Sequence, residues 1–400
     1  PDVDLITREV LAVVAAHGDA PPTGSYFCVP HKGRMLWLRT DTYPRRAWIS
    51  DPGDADSVYT DRMFVDCTDT ASLGDVLTGG TGEYGGVAVL WMENSVWILS
   101  GTGRVIGGDI DWRKRRTDCR TGSVSGRAVA RVPAGAVFTD QEGKRVVTDR
   151  NTLAFLSPKN DCRLFDGNND TTISYPKIDT LARMNKAHAR KAYVYDDADH
   201  SMFVWVFPID SATEPNYSVA WNYRYGTWHE WSGTTFGHVI QADSGTAAPL
   251  LAGESVVATG GFIYKLYTGN TRDGSSITGT WMSKPIYPPM VEGGQQDFIH
   301  EKRLQKLAFL FTKDASPTDI TVGILAHDAA DGDTPTVSRT AVSATSRKVV
   351  PCRQLASGTI PGKYFKGVGF RLKVTSTATS GPWVMQAIEG EYQVMPGTTR

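Results

Sequence analysis

Long apolar runs are absent from this sequence of 400 residues, and that absence limits its class. No stretch of about 18 uninterrupted apolar residues occurs, so we expect no transmembrane helix. The first residues also lack the charged-then-apolar pattern of a secretory signal peptide. Neither sign of charge dominates, because 42 basic residues balance 43 acidic ones. A surface that binds nucleic acid or anionic membrane over its whole extent is therefore excluded, although a local basic patch is not.

Cysteine is scarce, and its spacing suggests neither a metal site nor a redox centre. The five cysteines include no CxxC pair, so we predict no bound metal. We expect reduced and mostly buried thiols, consistent with assembly in a reducing cytoplasm. The residues are Cys28, Cys67, Cys119, Cys162 and Cys352.

Catalytic signatures are also missing. Segment 122–126 has the glycine spacing of a nucleophile elbow, but Val124 stands where that motif needs serine. A phosphate-binding loop is excluded at Gly143, because Phe138 occupies the position of its first glycine. No HExxH zinc motif and no clean copy of the Asp-box turn of sialidases occurs. We therefore predict a protein that is not an enzyme, with no catalytic residue and no cofactor.

Glycine and aromatic residues, in contrast, are abundant. The 40 glycines, 11 tryptophans and 15 tyrosines predict many short strands joined by tight turns. Apolar residues at helical spacing predict one short N-terminal helix over Asp4–Gly18, which Pro21 and Pro22 would end. A second, polar helix or turn is predicted over Thr180–Arg190.

Hairpin patterns recur along the chain. In Tyr193–Phe207 an aromatic strand and a return strand flank an acidic turn, Asp196–Asp199, which we interpret as a turn rather than a calcium site. The return strand is apolar on both faces, which predicts burial between neighbouring sheets. Further strand pairs are predicted at Tyr26–Leu38, Val87–Leu99, Ala136–Val147, Ser218–Trp231 and Phe262–Tyr267.

These hairpins favour an all-β fold with two domains. No helix is long enough for βαβ crossovers, so a doubly wound sheet is excluded and a propeller or serial barrel is favoured. No strict repeat occurs, so the blades of a propeller would be degenerate. The Pro- and Gly-rich segment Pro285–Gln296 predicts a boundary, and the well-separated strands beyond it predict a β-sandwich. The prediction is a helix or linker over 1–20, a β-propeller over 21–290 and a β-sandwich over 297–400.

The densest run of charge lies in Asp111–Arg120. It contains four consecutive cations, Arg113, Lys114, Arg115 and Arg116. Clustered cations bind a phosphate backbone by releasing its counterions, so these four are candidate nucleic-acid contacts. The alternative is a solvated loop, or salt bridges to an acidic neighbouring subunit, because the run is flanked by acidic residues.

Four segments, taken in order, carry a resemblance to a known family. The first is a proline pair (20–22) followed by a Leu-Trp strand (33–37) and an Ala-Trp ending (47–52), and the second is a hairpin (87–101). The third is a glycine-led strand pair (134–147), and the fourth is a strand (262–266) followed by a Thr-Trp-Met-Ser-Lys stretch (280–284). This order resembles the β-propeller tail nozzle or tail-hub proteins of short-tailed bacteriophages, which include tail tubular and packaged-DNA-stabilising proteins.

The resemblance implies a structural virion protein. Members assemble as hexameric rings below the portal and adaptor, and their lumen retains and conducts DNA. It therefore implies a homo-oligomer in the phage tail, assembled in the host cytoplasm, that contacts portal or adaptor, tail fibres or spikes, and transiently DNA during ejection. Two alternatives are a receptor- or carbohydrate-binding module that uses aromatics such as Trp383 or Tyr392, and a propeller glycosidase.

Overall fold

The structure is a computed structural model. It describes residues 19–266 except 62, 70–73, 104, 107–108, 233–235, 242–248 and 255–262. Beyond these it describes 271–272, 275–283, 285–287, 300–313, 319–326, 328, 337–341, 347–351, 366–367, 369–378 and 383–399. The chain divides into two compact units, Pro1–Tyr267 and Thr268–Arg400. The helix predicted over Asp4–Gly18 lies outside the described residues.

Five antiparallel sheets follow one another along the first unit. The first contains β1 (Phe27–His31), β2 (Arg34–Leu38), β3 (Arg46–Asp51) and β4 (Asp54–Val58), with β5 (Phe64–Asp66) also paired to β3. The second contains β6 (Leu77–Tyr84), β7 (Val87–Met92) and β8 (Val96–Ser100). A small hairpin follows, β9 (Val105–Ile106) with β10 (Asp109–Ile110), and then β11 (Arg113–Arg116) completes the second sheet beside β8.

The next three sheets repeat this pattern. The third contains β12 (Val129–Val132), β15 (Thr152–Ser157), β16 (Asp161–Phe165) and β17 (Asp170–Thr172), with the inserted hairpin β13 (Val137–Thr139) and β14 (Arg145–Val147). The fourth contains β18 (Tyr193–Asp197), β19 (Met202–Phe207), β20 (Tyr217–Asn222) and β21 (Thr227–Ser232). The fifth contains β22 (Phe236–Gln241), β23 (Leu250–Glu254) and β24 (Ile263–Lys265).

Helical structure is confined to short segments between sheets. Helix α1 (Ile178–Ala182) is the one α-helix in the described part of the chain. Short 3-10 helices span Gly126–Ala128, Tyr175–Lys177 and Lys186–Lys191. The polar helix predicted over Thr180–Arg190 is therefore two separate turns of helix. No helix among the described residues is long and apolar enough to cross a membrane.

Hydrophobic clusters lie between successive sheets rather than inside one of them. In β7, Ala88 and Leu90 pack towards the first sheet, whereas Val89 and Trp91 pack towards the third. A strand sends alternate side chains to opposite faces, so a strand that is apolar at every position has two buried faces. Strand β19 repeats the arrangement, as its sequence predicted: its aromatic residues join the cluster shared with the third sheet, and its remaining residues join the cluster shared with the fifth.

The first strands of successive sheets lie against one another, β6 against β1, β18 against β12 and β22 against β18. At two positions of β6 this approach leaves no room for a side chain. A Cβ added to Gly79 would lie 2.3 Å from the Cα of Gly126, and one added to Gly82 would lie 1.9 Å from the carbonyl oxygen of Pro30. Such backbone contacts require glycine. The sheets therefore converge at their first strands in a five-blade, propeller-like arrangement, which confirms the predicted all-β propeller with degenerate blades.

The described residues of the second unit form two antiparallel sheets. One has the order β25 (Thr271–Arg272), β26 (Ser275–Met282), β32 (Phe370–Ala378), β28 (Asp319–Ala326) and β29 (Val337–Ala341). In the other, β27 (His300–Lys313) pairs with β30 (Arg347–Pro351), β31 (Lys366–Gly367) and β33 (Trp383–Thr399). The β-sandwich over 297–400 stays a prediction.

The boundary between the units lies earlier in the chain than the Pro- and Gly-rich segment suggested. Strand β26 pairs with β32 from Ile277 opposite Ala378 to Met282 opposite Lys373. Residues 275–282, which we assigned to a propeller extending to 290, therefore belong to the C-terminal sheets. Strand pattern identifies a strand but does not identify its partner, which is the physical reason for the difference.

Candidate nucleic-acid interface

The four consecutive cations form strand β11, the last strand of the second sheet. Arg113 lies opposite Ser100 and Arg116 opposite Trp97 in an antiparallel register, which makes β11 an edge strand beside β8. The run is therefore a strand rather than a loop, and three of its four residues are exposed. Because side chains alternate along a strand, Lys114 and Arg116 leave one face of the sheet and Arg113 and Arg115 leave the other. We call β11 the basic strand.

One face of the basic strand contacts the first blade. The Lys114 ammonium donates to the backbone carbonyl of Asp66, at the end of β5, and lies 5.7 Å from the centre of the Trp97 ring. The Arg116 guanidinium lies 3.2 Å from a carboxylate oxygen of Asp69, with about a third of each side chain exposed. Ion pairs with this degree of exposure contribute little stability, because water screens both charges.

The opposite face reaches the third blade. The Arg115 guanidinium donates to the side-chain oxygen of Asn168 at 2.7 Å. Asn168 lies in the turn between β16 and β17, and its amide group donates in turn to Asp118 at 2.6 Å. Arg113 is exposed, and its guanidinium forms no hydrogen bond or ion pair with another described residue. The basic strand thus connects the outer edges of three blades.

Most of the positive charge on this strand is not neutralised by these contacts. Lys114 and Arg115 donate to uncharged oxygens, whereas Arg116 alone of the four is paired with a carboxylate in the described part of the chain. The Asp66 carboxylate is engaged by Arg46 through two hydrogen bonds of 2.8 and 2.9 Å. Three cations are therefore left to attract an external anion such as a phosphate group.

The partners of the basic strand are residues that sequence reasoning missed. Asn168 is 53 positions from Arg115, and Asp69 is 47 positions from Arg116. Asp111 is one of the acidic residues that flank the basic run in the sequence. Its carboxylate accepts hydrogen bonds from the backbone N–H and the hydroxyl of Thr102. Contacts of this length in sequence carry no local signal, so only the blade arrangement reveals them.

The acidic turn of the fourth blade is a hairpin turn, as its sequence suggested. Asp197 is buried and its carboxylate contacts the His200 ring at 2.8 Å, while Asp196 and Asp199 are exposed. Within the described residues, no three side chains that bind metals are grouped around a common point.

The four described cysteines are free thiols. Cys67, Cys119 and Cys162 are buried, as expected, and Cys28 is exposed. Burial raises the pKa of the Cys67 thiol to about 12, so this thiol is protonated and unreactive at neutral pH. Cys352 lies outside the described residues.

Comparisons with known proteins give structural similarity but no sequence match. No protein-family model matches the chain, and no curated protein sequence matches it. Among solved structures, the chain is similar to a protein of unknown function from Bacteroides caccae, with a TM-score of 0.30 and 10% sequence identity. That similarity covers 56% of this chain and 69% of the other, and a TM-score this low supports no conclusion about function.

Proposed function

We propose that this protein is a non-enzymatic structural component of a short-tailed bacteriophage, forming a nozzle or hub ring through which DNA is retained and passed. The proposal depends on two independent supports. One is the ordered resemblance of four sequence segments, which runs from residue 20 to residue 284. The other is the basic strand, where Arg113, Lys114 and Arg115 carry charge that no carboxylate among the described residues neutralises.

The basic strand is suited to weak and non-specific contact with DNA. A few exposed cations on an edge strand can meet phosphates, and contacts to phosphates carry no sequence information. Counterion release makes such binding strongly dependent on salt. A conduit needs this weakness, because tight phosphate contacts would slow the passage of DNA during ejection.

The remaining features of the proposal follow from the family resemblance. The ring would contain six copies, contact the portal or adaptor on one side and tail fibres or spikes on the other, and be assembled in the host cytoplasm. No cofactor and no catalytic group is assigned to it. A receptor- or carbohydrate-binding role for the second unit, through Trp383 or Tyr392, and a glycosidase activity stay as the alternatives.

The ring is tested on the full-length protein and on the particle. Native mass spectrometry and negative-stain electron microscopy of the purified protein should detect closed rings, and imaging of virions with this subunit labelled should locate a ring in the tail. A protein that is monomeric in solution and forms no ring in the virion contradicts the proposal.

DNA contact is tested by removing two cations together, Arg113→Gln with Arg115→Gln. We expect the slope of log K against log salt for a random-sequence duplex to become shallower by about 1 to 2, since each lost phosphate contact changes it by about 0.9. The matched control, Lys144→Gln with Arg145→Gln, removes the same charge from an exposed hairpin of the third blade. Equal slopes for the two double variants would exclude the basic strand as the DNA contact.

A further inference from the structure

A cleft on the first blade has a lining that suits a small ligand. It has a volume of about 470 Å³ and is formed by the turn Thr23–Gly24, the loop Thr40–Tyr43, Arg46 and Trp48 of β3, and Thr60. Sites for small molecules have volumes of roughly 300–1,000 Å³, so a mono- or disaccharide can be accommodated. The cleft involves none of the four residues of the basic strand.

The cleft presents one aromatic ring in a fixed position. Tyr43 is 45% exposed, although its ring is held on two sides. The Arg46 guanidinium lies over it at 4.2 Å, and Trp48 contacts it edge-on at 5.8 Å. The Tyr43 backbone N–H donates to the Thr40 hydroxyl at 3.1 Å, and its carbonyl accepts from the backbone N–H of Arg46 at 3.3 Å. A ring held in this way loses little freedom when a ligand stacks on it.

Polar groups with spare hydrogen-bonding capacity surround this ring. Asp41 accepts a hydrogen bond from the Tyr26 hydroxyl at 2.8 Å through one oxygen, and its second oxygen accepts none from the described residues. The hydroxyls of Thr23 and Thr42 are exposed, and neither forms a hydrogen bond with another described residue. Each hydroxyl can donate and accept, and the carboxylate can accept from two neighbouring hydroxyls of one ligand.

The charge of the lining disfavours an anionic ligand. Arg46 is paired with Asp66 through two hydrogen bonds of 2.8 and 2.9 Å, so its charge is already neutralised. Asp66 holds the pKa of Arg46 above its ordinary value. Asp41 is the remaining charged side chain of the lining, and it repels phosphates and acidic sugars. The buried Arg39 interacts with Asp41 electrostatically and offsets part of this negative charge.

We propose that this cleft binds a neutral saccharide. The C–H face of a pyranose ring, whose hydrogens are weakly positive, stacks on the negative face of the Tyr43 ring. The sugar hydroxyls then donate to Asp41 and exchange hydrogen bonds with Thr23 and Thr42. This inference does not depend on the phage-tail proposal, because it involves neither ring assembly nor the basic strand.

The binding is tested on the full chain by saturation-transfer difference NMR with lactose, maltose and chitobiose, and with sialyllactose as the anionic counterpart of lactose. We expect at least one neutral disaccharide to bind, with transfer to the C–H protons of one ring face, and sialyllactose to bind more weakly than lactose. Absence of binding for all the neutral sugars at millimolar concentration, or a preference for sialyllactose, overturns the proposal.

Substitutions then locate the site. Tyr43→Ala should weaken the binding by about tenfold or more, which corresponds to about 1.4 kcal/mol, because the ring on which the sugar stacks is lost. Tyr43→Phe keeps the ring and should bind within about threefold of the unmodified protein, since less than 1 kcal/mol is then lost. Tyr225→Ala, which removes a tyrosine that is 63% exposed on the fourth blade, should leave binding unchanged.

A fourth variant keeps the test decisive if Tyr43→Ala fails to fold. Asp41 is exposed, so Asp41→Ala should preserve the fold and still weaken binding by about tenfold, because hydrogen bonds to charged groups contribute about 1.5–3 kcal/mol. Unchanged affinity in Asp41→Ala, or equal affinities for Tyr43→Ala and Tyr43→Phe, places the sugar elsewhere and overturns the assignment.

Discussion

The inner and outer edges of the second blade contact their neighbours in opposite ways. At the inner edge, β6 meets the first blade and the turn before β12 through backbone, and Gly79 and Gly82 leave no space for a Cβ. At the outer edge, β11 reaches the first and third blades through the tips of long side chains, with Arg116 on Asp69 and Arg115 on Asn168. One sheet therefore needs its smallest residues at one edge and its longest at the other.

The difference follows from a radial arrangement of sheets. Where β6 approaches the first blade and the turn before β12, the distance between neighbouring backbones is least, and glycine alone is tolerated at positions 79 and 82. In the middle of the blade, β7 fills a wider gap with residues up to the size of Trp91. At the outer edge the gap opens to solvent, and the long chains of arginine and lysine span it while their charged ends stay hydrated. The buried contacts in the middle and at the inner edge of the blade should therefore contribute most stability, and the outer contacts are free to bind ligands.

The largest effect is expected in the middle of the blade, for Trp91→Ala. Trp91 is fully buried, its ring centre is 5.0 Å from that of Phe155, and its indole N–H donates to Thr81 at 2.9 Å. We expect a loss of about 3–5 kcal/mol in the free energy of unfolding, as for other buried large-to-small changes. Urea unfolding followed by circular dichroism measures it. Arg113→Ala at the outer edge is the control, and equal losses in the two variants would refute the comparison.

A smaller but clear loss is expected at the inner edge, for Gly82→Ala. Its new methyl group would lie 1.9 Å from the carbonyl oxygen of Pro30, so backbone must move. Overpacking of this kind costs about 1–3 kcal/mol. The matched control is Gly253→Ala in β23, where the added Cβ meets nothing within 4 Å and no loss is expected. If both variants unfold at the same urea concentration, the inner edge is not tightly packed.

An acid-dependent loss is expected from the polar contact between β1 and β6. The His31 ring is buried, with Nδ1 3.3 Å from a carboxylate oxygen of Glu83 and Nε2 unpartnered among the described residues. Burial lowers the pKa of His31 below its ordinary value of 6.5, despite the opposing effect of Glu83. The unfolded chain then binds a proton that the folded chain does not, so stability should fall as the pH drops below about 6.5.

The measurement is the urea midpoint between pH 7.5 and pH 5, compared with His31→Gln, which does not titrate. We expect a steeper decline in the unmodified protein over this window. The pKa of Glu83 is lowered, chiefly by a hydrogen bond from the backbone of Lys32. The stability that depends on ionised Glu83 is therefore lost only at a pH below this window. Parallel profiles for the two proteins would show that His31 is not buried in its neutral form.

The smallest effect is expected at the outer edge, for the pair Arg116 and Asp69. Both side chains are about one-third exposed, and such pairs contribute at most about 1 kcal/mol. A double-mutant cycle with Arg116→Gln and Asp69→Asn should give a coupling energy below that value, and 0.5 M salt should reduce it. A coupling energy of several kcal/mol would mean that the outer edge contributes to stability as the interior does.

Much of the fold was predictable, because alternation of side chains is a local property. Val87–Leu99 predicted a hairpin and forms β7 and β8, and Tyr193–Phe207 forms β18 and β19 with both faces of β19 buried. The segment 275–282 was assigned to the propeller, but its partner β32 begins almost ninety positions later. Pairing over such distances depends on the whole sheet, so the domain boundary was misplaced.

The candidate sites were less predictable than the strands. The basic run was visible in the sequence, whereas its position at a sheet edge and its contacts with Asp69 and Asn168 were not. No sequence pattern indicated the saccharide cleft, because threonine, aspartate and tyrosine in the short loop between β2 and β3 are ordinary turn residues.

By itself, the sequence determined which segments are strands, that no catalytic motif is present, and that four cations are consecutive, because each of these is a property of neighbouring residues. The tertiary structure alone decided that glycine lines the convergent edge of the second blade, that the cations lie on the divergent edge, and that a tyrosine and a carboxylate share one cleft. These are distances between backbones that only the arrangement of the blades sets, and they distinguish a stabilising contact from a surface that is free to bind.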